Sequence, residues 1–239
     1  MMREDGRCAE DIREIRITKS FMKNAHGSAL IEWGNTRVLC TAMYTVSVPA
    51  FLEGTDRGWL TAEYAMLPAS TPQRKPREHK YPDGRSTEIS RLIGRALRSV
   101  CDLKAIAGYT INIDCDVIEA DGGTRTASIT GAYIALELCI RKMTAEGLIE
   151  NSPIKDGVAA VSCGITGGLA VCDLNYMEDS RAEADMNVVM SHGGGIIEVQ
   201  CTGEKRPLAR REFDKLLRFA GEAIANISAI QKGVLEQGL

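Results

Sequence analysis

Two short segments combine glycine, arginine and a hydroxyl side chain at the start of a predicted helix. The first is Gly84-Arg85-Ser86 and the second is Gly123-Thr124-Arg125. Glycine lets the backbone approach a ligand closely, and the free N–H groups of a helix start favour an anion. Arginine offers a planar fork that matches two phosphate oxygens. The two segments together therefore predict a phosphate site, although each alone also fits a turn that carries a surface charge.

An acidic segment, residues 178–185, lies between two predicted strands and holds four carboxylates in eight residues. Oxygen ligands of this kind suit Mg²⁺, which usually takes only one or two protein carboxylates and keeps several waters. Asp179 and Asp185 are the candidate ligands, because Asp185 begins a predicted strand and Asp179 lies in the link that leads to it. The alternative is an acidic surface turn with no bound metal.

Phosphate-binding segments, carboxylates for Mg²⁺ and a basic loop together indicate phosphoryl or nucleotidyl transfer. The basic loop spans residues 68–84 and includes Arg74 and Arg77. Long ordered loops in compact domains tend to be functional or mobile. The sequence contains no G-x-x-x-x-G-K-[ST] motif and no protein-kinase signature, which excludes an ordinary P-loop NTPase and a protein kinase.

Hydrophobic spacing predicts the elements that must position these residues. One helix is predicted to begin at Ser86, which would cap it. Two further helices are predicted over 126–145 and from about 208 to the C-terminal region. Strands are predicted at 29–33, 37–42, 59–66, 110–118, 158–165, 169–174, 186–190 and 196–201. Helix 126–145 has few charges, which predicts a central helix covered on most sides. The order of elements predicts an α+β fold of two similar halves, approximately 1–150 and 151–239, packed as a single domain.

Composition excludes several classes of protein. The 239 residues are 44% hydrophobic and carry a net charge of −3, so any RNA binding must come from a local basic patch. No stretch is long and apolar enough to span a membrane, and no secretory signal begins the sequence. We therefore expect a cytoplasmic protein that does not associate with a membrane. The eight cysteines form no C-x-x-C pair and are expected to be reduced and mostly buried.

Several long segments resemble the ribonuclease PH family of phosphate-dependent 3′→5′ exoribonucleases. The resemblance covers nearly the whole chain. The segments that carry it are E-D-G-R at 4–7, G-S-A-L-I-E-W-G-N-T-R-V-L-C-T-A at 27–42, G-W-L-T-A-E-Y-A-M-L-P at 58–68, G-R-S-T-E-I-S-R-L-I-G-R-A-L-R at 84–98, D-C-D-V-I-E-A-D-G-G-T-R-T-A-S-I-T-G-A at 114–132, D-L-N-Y-M-E-D-S-R-A-E-A-D-M-N-V-V-M at 173–190 and I-E-V-Q-C-T-G-E at 197–204.

The resemblance implies a ribonuclease PH-like fold, of the ribosomal protein S5 domain 2-like class, and a homohexameric ring built as a trimer of dimers. It implies an enzyme that trims 3′ extensions of tRNA precursors and releases nucleoside 5′-diphosphates, with inorganic phosphate as co-substrate. By the same resemblance, Arg85, Gly123, Thr124 and Arg125 bind phosphate, and Asp179 and Asp185 hold Mg²⁺ or Mn²⁺. Catalysis is then expected to depend on Asp179, Asp185, Arg85 and Arg125. RNA 3′ ends would be guided by Arg74 and Arg77.

The chain departs from the family pattern at Ala69, Arg181 and Cys201. Ala69 stands where arginine is frequent, Arg181 where a small residue is usual, and Cys201 where glycine is common. The alternative function is that of a catalytically inactive RNA-binding ring subunit of an exosome-like assembly. Such subunits typically lose the metal carboxylates or the phosphate-binding arginine, and this sequence keeps both. Asp114 and Asp116, on the polar face of strand 110–118, are expected to be structural.

Overall fold

The computed structural model describes residues 3–77 and 83–237. The strands are β1 (Ile15–Lys19), β2 (Gly27–Trp33), β3 (Thr36–Thr45), β4 (Trp59–Met66), β5 (Thr110–Glu119), β6 (Val158–Thr166), β7 (Leu169–Cys172), β8 (Ala184–Ser191) and β9 (Ile196–Gly203). The α-helices are α1 (Gly84–Ser99), α2 (Thr124–Ala145), α3 (Tyr176–Asp179) and α4 (Arg210–Glu236), and a short 3-10 helix covers Ala50–Leu52. The α+β prediction is therefore confirmed.

The first sheet has the strand order β1-β2-β3-β5-β4. Its pairs are antiparallel except β4 and β5, which run parallel with Trp59 opposite Thr110. A parallel pair needs a long crossover connection, and here α1 lies in the chain between the two strands. Helix α1 packs on β4, and α2 packs on β2 and β3. The sheet therefore carries both helices whose first turns hold the predicted phosphate-binding residues.

The second sheet is antiparallel, with the order β7-β6-β8-β9, and α4 packs on β6 and β7. Helix α2 also packs on β6, so it lies between the two halves. Sixteen of its 22 residues are buried, which confirms the prediction of a central helix. Gln231 of α4 donates hydrogen bonds to the carbonyls of Thr130 and Val158 at 2.9 and 3.1 Å, and so ties α4 to both α2 and β6.

The predicted hairpins are confirmed, but two helix starts were wrong. Asp83, not Ser86, caps α1, because the Asp83 carboxylate accepts a hydrogen bond from the Ser86 N–H at 2.6 Å. Ser86 is already inside the helix. Helix α2 begins at Thr124, two residues before the predicted start, which brings Thr124 and Arg125 into its first turn. Strand β1 and the four-residue helix α3 were missed.

Six of the eight cysteines are buried, whereas Cys8 and Cys201 are exposed, and all eight are free thiols. Within the described chain, no helix is long and apolar enough to cross a membrane. Residues 67–77 contain no helix or strand, in agreement with the predicted loop, and residues 78–82 of that loop lie outside the described chain. The first sheet ends before residue 150 and the second begins after it.

Candidate active site

A cavity of about 450 Å³ opens where the first turns of α1 and α2 meet the second half of the chain. The first half contributes Arg85 from α1 and residues 123–125 from the start of α2. The second half contributes β6, β8 and the segment around α3. The lining residues are Arg85, Gly123, Thr124, Arg125, Ser162, Asp179, Ser180, Ala182, Asp185, Asn187, Glu204 and Lys205. All predicted phosphate and metal residues therefore face one cavity.

The β5–α2 junction depends on two glycines with left-handed backbone angles. Gly123 has φ +66° and caps α2 without a side-chain hydrogen bond, so the first N–H groups of the helix stay available to an anion. Gly122 has φ +76°, and a Cβ there would lie 2.5 Å from the Leu174 carbonyl oxygen. Gly122 is therefore required by close packing against the segment before α3, and not only by approach of a ligand.

Arg125 is held in position by polar side chains of two other elements. Its Nη1 donates to Gln200 Oε1 of β9 at 2.9 Å and lies 3.7 Å from Glu88 Oε1 of α1. Gln200 in turn donates to Glu88 and Glu198 at 3.0 and 3.1 Å. These contacts fix the guanidinium group at the cavity wall before any ligand arrives. Gln200 lies within the motif at 197–204, but no spacing or residue pattern singled it out.

Thr124 and Arg85 occupy different environments. Thr124 is buried, and its hydroxyl shares a 2.9 Å hydrogen bond with the hydroxyl of Tyr64 on β4. Arg85, in the first turn of α1, is an exposed residue that also lines the cavity. The cavity therefore has a fixed cation, Arg125, and a more accessible one, Arg85.

Asp179 and Asp185 add two carboxyl groups to the lining of the same cavity. Burial raises the pKa of both carboxyl groups, and the charge of Asp179 adds to the effect on Asp185, whose pKa reaches about 6. Asp185 Oδ2 accepts a 3.1 Å hydrogen bond from Asn187 Nδ2. Two partly buried carboxyl groups, one of which raises the pKa of the other, are suited to a divalent cation.

The described residues contain no group of three or more His, Cys, Asp or Glu side chains arranged to hold a metal ion. A two-carboxylate site nevertheless fits Mg²⁺, because this ion commonly completes its shell with water and substrate phosphate oxygens. Asp179 and Asp185 are therefore the residues that could hold it. Asp114 and Asp116 lie on β5 and line neither this cavity nor a second cavity that adjoins it, in keeping with a structural role.

The N-terminal segment connects the α2 junction to the segment that carries Asp179. Asp173 accepts hydrogen bonds from the Arg13 backbone N–H, from Arg13 Nε and from Arg13 Nη2, at 2.7, 2.9 and 2.7 Å. Arg13 also donates to the Asp121 carbonyl at 2.5 Å. Arg3 pairs with Glu178, the neighbour of Asp179. These contacts position the phosphate-binding turn relative to the carboxylates, and no spacing rule in the sequence indicated them.

A second cavity of about 520 Å³ adjoins the first and shares Arg85, Gly123, Thr124 and Asp179 with it. Its wall also includes residues 71–76 of the basic loop, among them Arg74, and the exposed residue Tyr176. Arg77 does not line either cavity. The structure thus brings Arg74 to the site but leaves Arg77 outside its walls.

Several lining residues were not selected from the sequence: Ser162, Asn187, Lys205 and Tyr176. Of the three departures from the family pattern, none lines either cavity. Ala69 is exposed. Arg181 is exposed and lies 3.5 Å from Glu4. Cys201 is paired with Met186 across β8 and β9, and partial burial, together with the nearby charge of Asp185, raises the pKa of its thiol.

Solved structures share this fold, and two of the three described below come from archaeal exosomes. Rice (Oryza sativa) Rrp46 is 20% identical with a TM-score of 0.80, over 98% of this chain and 100% of that one. A chain of the Archaeoglobus fulgidus exosome with RNA bound to the active site is 24% identical with a TM-score of 0.82, over 95% and 91% of the two chains. A chain of an archaeal exosome core is 21% identical with a TM-score of 0.80, over 97% and 91%.

Two family models match the sequence itself. The model for domain 1 of the RNase PH 3′ exoribonuclease family matches residues 11–142, and the model for domain 2 matches residues 156–223. The first match contains the start of α1 and the start of α2, and the second contains Asp179 and Asp185. Since the first model alone matches more than half of the chain, this protein belongs to the RNase PH 3′ exoribonuclease family.

Proposed function

We propose that this chain is a phosphorolytic 3′→5′ exoribonuclease that trims 3′ extensions of tRNA precursors and releases nucleoside 5′-diphosphates. The observation that carries the proposal is the convergence of Arg85, the first turn of α2 and the Asp179–Asp185 pair on one cavity. An anion site opposite a carboxylate pair is what a reaction between two phosphate groups requires. A nuclease that used water as its nucleophile would not need a binding site for inorganic phosphate.

Inorganic phosphate would be held by Arg85, Arg125 and the free N–H groups of the α2 start. Holding this nucleophile beside the last phosphodiester of the RNA raises its effective concentration, which is the main gain available to such an enzyme. Arg125 is suited to this role because Gln200 and Glu88 already fix its guanidinium group. Its orientation needs little adjustment when the substrate binds.

Asp179 and Asp185 would hold Mg²⁺, or Mn²⁺ in its place. The bound ion would neutralise negative charge on the scissile phosphate and on the departing 3′ oxygen. Attack of a phosphate oxygen on the scissile phosphorus forms the P–O–P bond of the diphosphate, and the bond to the 3′ oxygen of the shortened RNA breaks. Because the new bond keeps much of the energy of the old one, the reaction should reverse when nucleoside diphosphate is in excess.

The RNA 3′ end would reach the site along the second cavity. Arg74 and Lys75 supply positive charge there, and the exposed Tyr176 ring offers a flat surface for a nucleobase. Arg77 would act further out along the same loop. The natural partners are then RNA 3′ ends, inorganic phosphate and further copies of this chain in a homohexamer.

The second candidate is an inactive RNA-binding subunit of an exosome-like ring, because two of the similar structures come from archaeal exosomes. In that case the chain would assemble with different subunits instead of copies of itself. The retained Arg85, Arg125, Asp179 and Asp185 favour the active enzyme.

One assay separates these functions. The purified chain is incubated with a 3′-extended tRNA and Mg²⁺, with and without phosphate, and the released nucleotides are identified. We expect nucleoside diphosphates only when phosphate is present. Monophosphates released without phosphate would indicate a hydrolytic nuclease, and RNA binding without release would indicate the inactive subunit.

The variant Arg125→Ala should lose turnover and keep nearly normal RNA affinity, because Arg125 holds the nucleophile and not the RNA chain. Arg210→Ala is the matched control: it removes an exposed arginine of α4 that pairs only with Asp214, one turn further on in the same helix, within the described chain. A normal phosphorolytic rate in Arg125→Ala would contradict its role.

A further inference from the structure

The hydroxyl of Ser162 is buried beside the predicted phosphate site and has no protein partner. Ser162 lies on β6, opposite Asn187 of β8, and is 5% exposed. Within residues 3–77 and 83–237, its Oγ makes no hydrogen bond. A buried hydroxyl without a partner is rare, because its removal from water is not compensated. At the wall of a cavity, such a hydroxyl points to a ligand.

The position of Ser162 Oγ indicates which ligand this is. The hydroxyl lines the cavity that holds Arg85, Arg125 and the α2 start. A Cβ built on Gly123 would lie 3.7 Å from Ser162 Oγ, so the hydroxyl lies directly beside the first turn of α2. Donors and positive charge surround it on that side, which is an environment for an oxyanion with several acceptor oxygens.

Other hydroxyls near this turn are already engaged. Thr126 Oγ1 donates to the Gly123 carbonyl, and Ser128 Oγ donates to the Thr124 carbonyl. Ser180 Oγ, which belongs to the same cavity, donates to the Met177 carbonyl. In the described part of the site, the hydroxyls of Thr126, Ser128 and Ser180 are therefore engaged, whereas that of Ser162 is available to a ligand.

We propose that Ser162 is a further phosphate ligand, whose hydroxyl donates a hydrogen bond to the inorganic phosphate held by Arg85, Arg125 and the α2 start. This inference rests on the proposed phosphorolytic function. It gives the second half of the chain, through β6, a direct contact with the nucleophile, whereas the sequence placed all phosphate contacts in the first half. In the reverse reaction, the same hydroxyl contacts the terminal phosphate of the nucleoside diphosphate.

Steady-state phosphorolysis by Ser162→Ala tests the proposal. Loss of one hydrogen bond to a charged ligand should raise the KM for phosphate about tenfold or more. The KM for RNA and the Mg²⁺ concentration for half-maximal rate should stay within about twofold of the wild-type values, since Arg74 and the carboxylates are unchanged. A raised Mg²⁺ requirement with an unchanged phosphate KM would make Ser162 a metal ligand instead and overturn the proposal.

Ser70→Ala is the matched control. Ser70 is also a buried serine whose Oγ has no hydrogen-bond partner in the described chain, but it lines neither cavity. The two variants remove the same group from similar burial. Only Ser162→Ala should change the KM for phosphate, and an equal change in both variants would contradict the proposal.

Thermal unfolding supplies a readout that does not depend on RNA. Without phosphate, Ser162→Ala should melt at or above the wild-type temperature, because it removes an unpaired buried hydroxyl. Added inorganic phosphate should raise the Tm of the wild type and raise that of Ser162→Ala less. A lower Tm without phosphate, with an unchanged response to phosphate, would assign Ser162 a structural role.

The two readouts distinguish failure of this inference from failure of the proposed function. If the wild type degrades RNA without phosphate, the proposed function is wrong, and the thermal response to phosphate still decides whether Ser162 binds it. If wild-type phosphorolysis is normal and Ser162→Ala matches it at every phosphate concentration, the inference about Ser162 alone is wrong.

Discussion

Asp185 combines a proposed role as a metal ligand with a cost to stability. It is partly buried near Asp179, and its pKa of about 6 lies above the ordinary aspartate value of 3.8. A raised pKa means that the folded protein binds more protons than the unfolded chain between these two values, so stability falls as pH rises from about 4 to 6. Above pH 7 the destabilisation is complete, on the order of 2 to 3 kcal/mol in the metal-free protein.

We therefore expect Asp185→Asn to abolish phosphorolysis and to stabilise the metal-free protein at pH 8. The amide can still accept the hydrogen bond from Asn187 but carries no charge. The gain in the free energy of unfolding should shrink to a small remnant near pH 4, where the carboxyl of the folded wild type is protonated. Urea unfolding at both pH values, with a chelator present, measures the gain.

Added Mg²⁺ completes the comparison. It should stabilise the wild type against urea and have little effect on Asp185→Asn, because one of its two carboxylate ligands is missing. Full activity in the variant, or equal stabilisation of both proteins by Mg²⁺, would place the metal site elsewhere.

At the scale of single elements, the two ends of α2 show what a glycine contributes to the site. Gly122, before the N-terminus, and Gly147, after the C-terminus, have similar left-handed backbone angles, φ +76° and +70°. A Cβ at Gly147 would meet no atom within 4 Å, whereas one at Gly122 would meet backbone atoms of Leu174, Asn175 and Tyr176 within 3 Å.

We expect Gly147→Ala to cost about 1 kcal/mol of stability, which is the ordinary penalty for a left-handed alanine. Gly122→Ala should cost more, because backbone must also move. That movement displaces the segment before Asp179, so phosphorolysis should fall in Gly122→Ala and stay normal in Gly147→Ala. Phosphorolysis rates and denaturant midpoints of both variants test this. Equal losses of rate and stability in the two variants would show that the left-handed backbone angle alone explains the effect of Gly122→Ala.

Elements with a clear hydrophobic period could be predicted from the sequence, and short or irregular ones could not. Helices α1 and α4 and the three hairpins were found because their apolar residues repeat at regular spacing, and α2 was found because it is rich in apolar residues and has few charges. Helix α3 has four residues, too few for any period, and β1 is a five-residue strand at the sheet edge. The cap of α1 was misplaced because Asp83 and Ser86 are both good capping residues, and only backbone geometry decides between them.

The candidate site could be predicted where one residue type implies one chemistry. Arginine after glycine indicated phosphate, and paired aspartates indicated a divalent metal, and the structure brings these residues to one cavity. Ser162 and Tyr176 were missed, since a single serine or tyrosine carries no pattern. Their relevance comes from burial without a partner in one case and exposure at a cavity in the other. Such properties exist only after the two halves have packed together.

At the scale of the whole molecule, buried ion pairs and hydrogen bonds around Asp173 connect the two halves of the chain. Asp173 is 1% exposed and has φ +52°, an unusual angle for a residue other than glycine. Its carboxylate accepts hydrogen bonds from Arg7, Arg13 and the Trp33 indole N–H, all in the first half. A buried carboxylate with several charged donors stabilises a fold only while all the partners remain, because an unpaired buried charge is costly.

Asp173→Asn should therefore lower the free energy of unfolding by about 3 to 5 kcal/mol, the usual cost of breaking a buried ion pair from one side. The matched control is Asp56→Asn, which removes an exposed carboxylate that pairs with Lys104 at 2.9 Å and should leave the denaturant midpoint almost unchanged. Urea unfolding of both variants, followed by circular dichroism, measures the difference.

Because Arg13 also holds the Asp121 carbonyl beside the predicted phosphate-binding turn, the folded Asp173→Asn protein should show a raised KM for phosphate. Equal midpoints in the two variants would mean that the halves are held together by apolar packing alone.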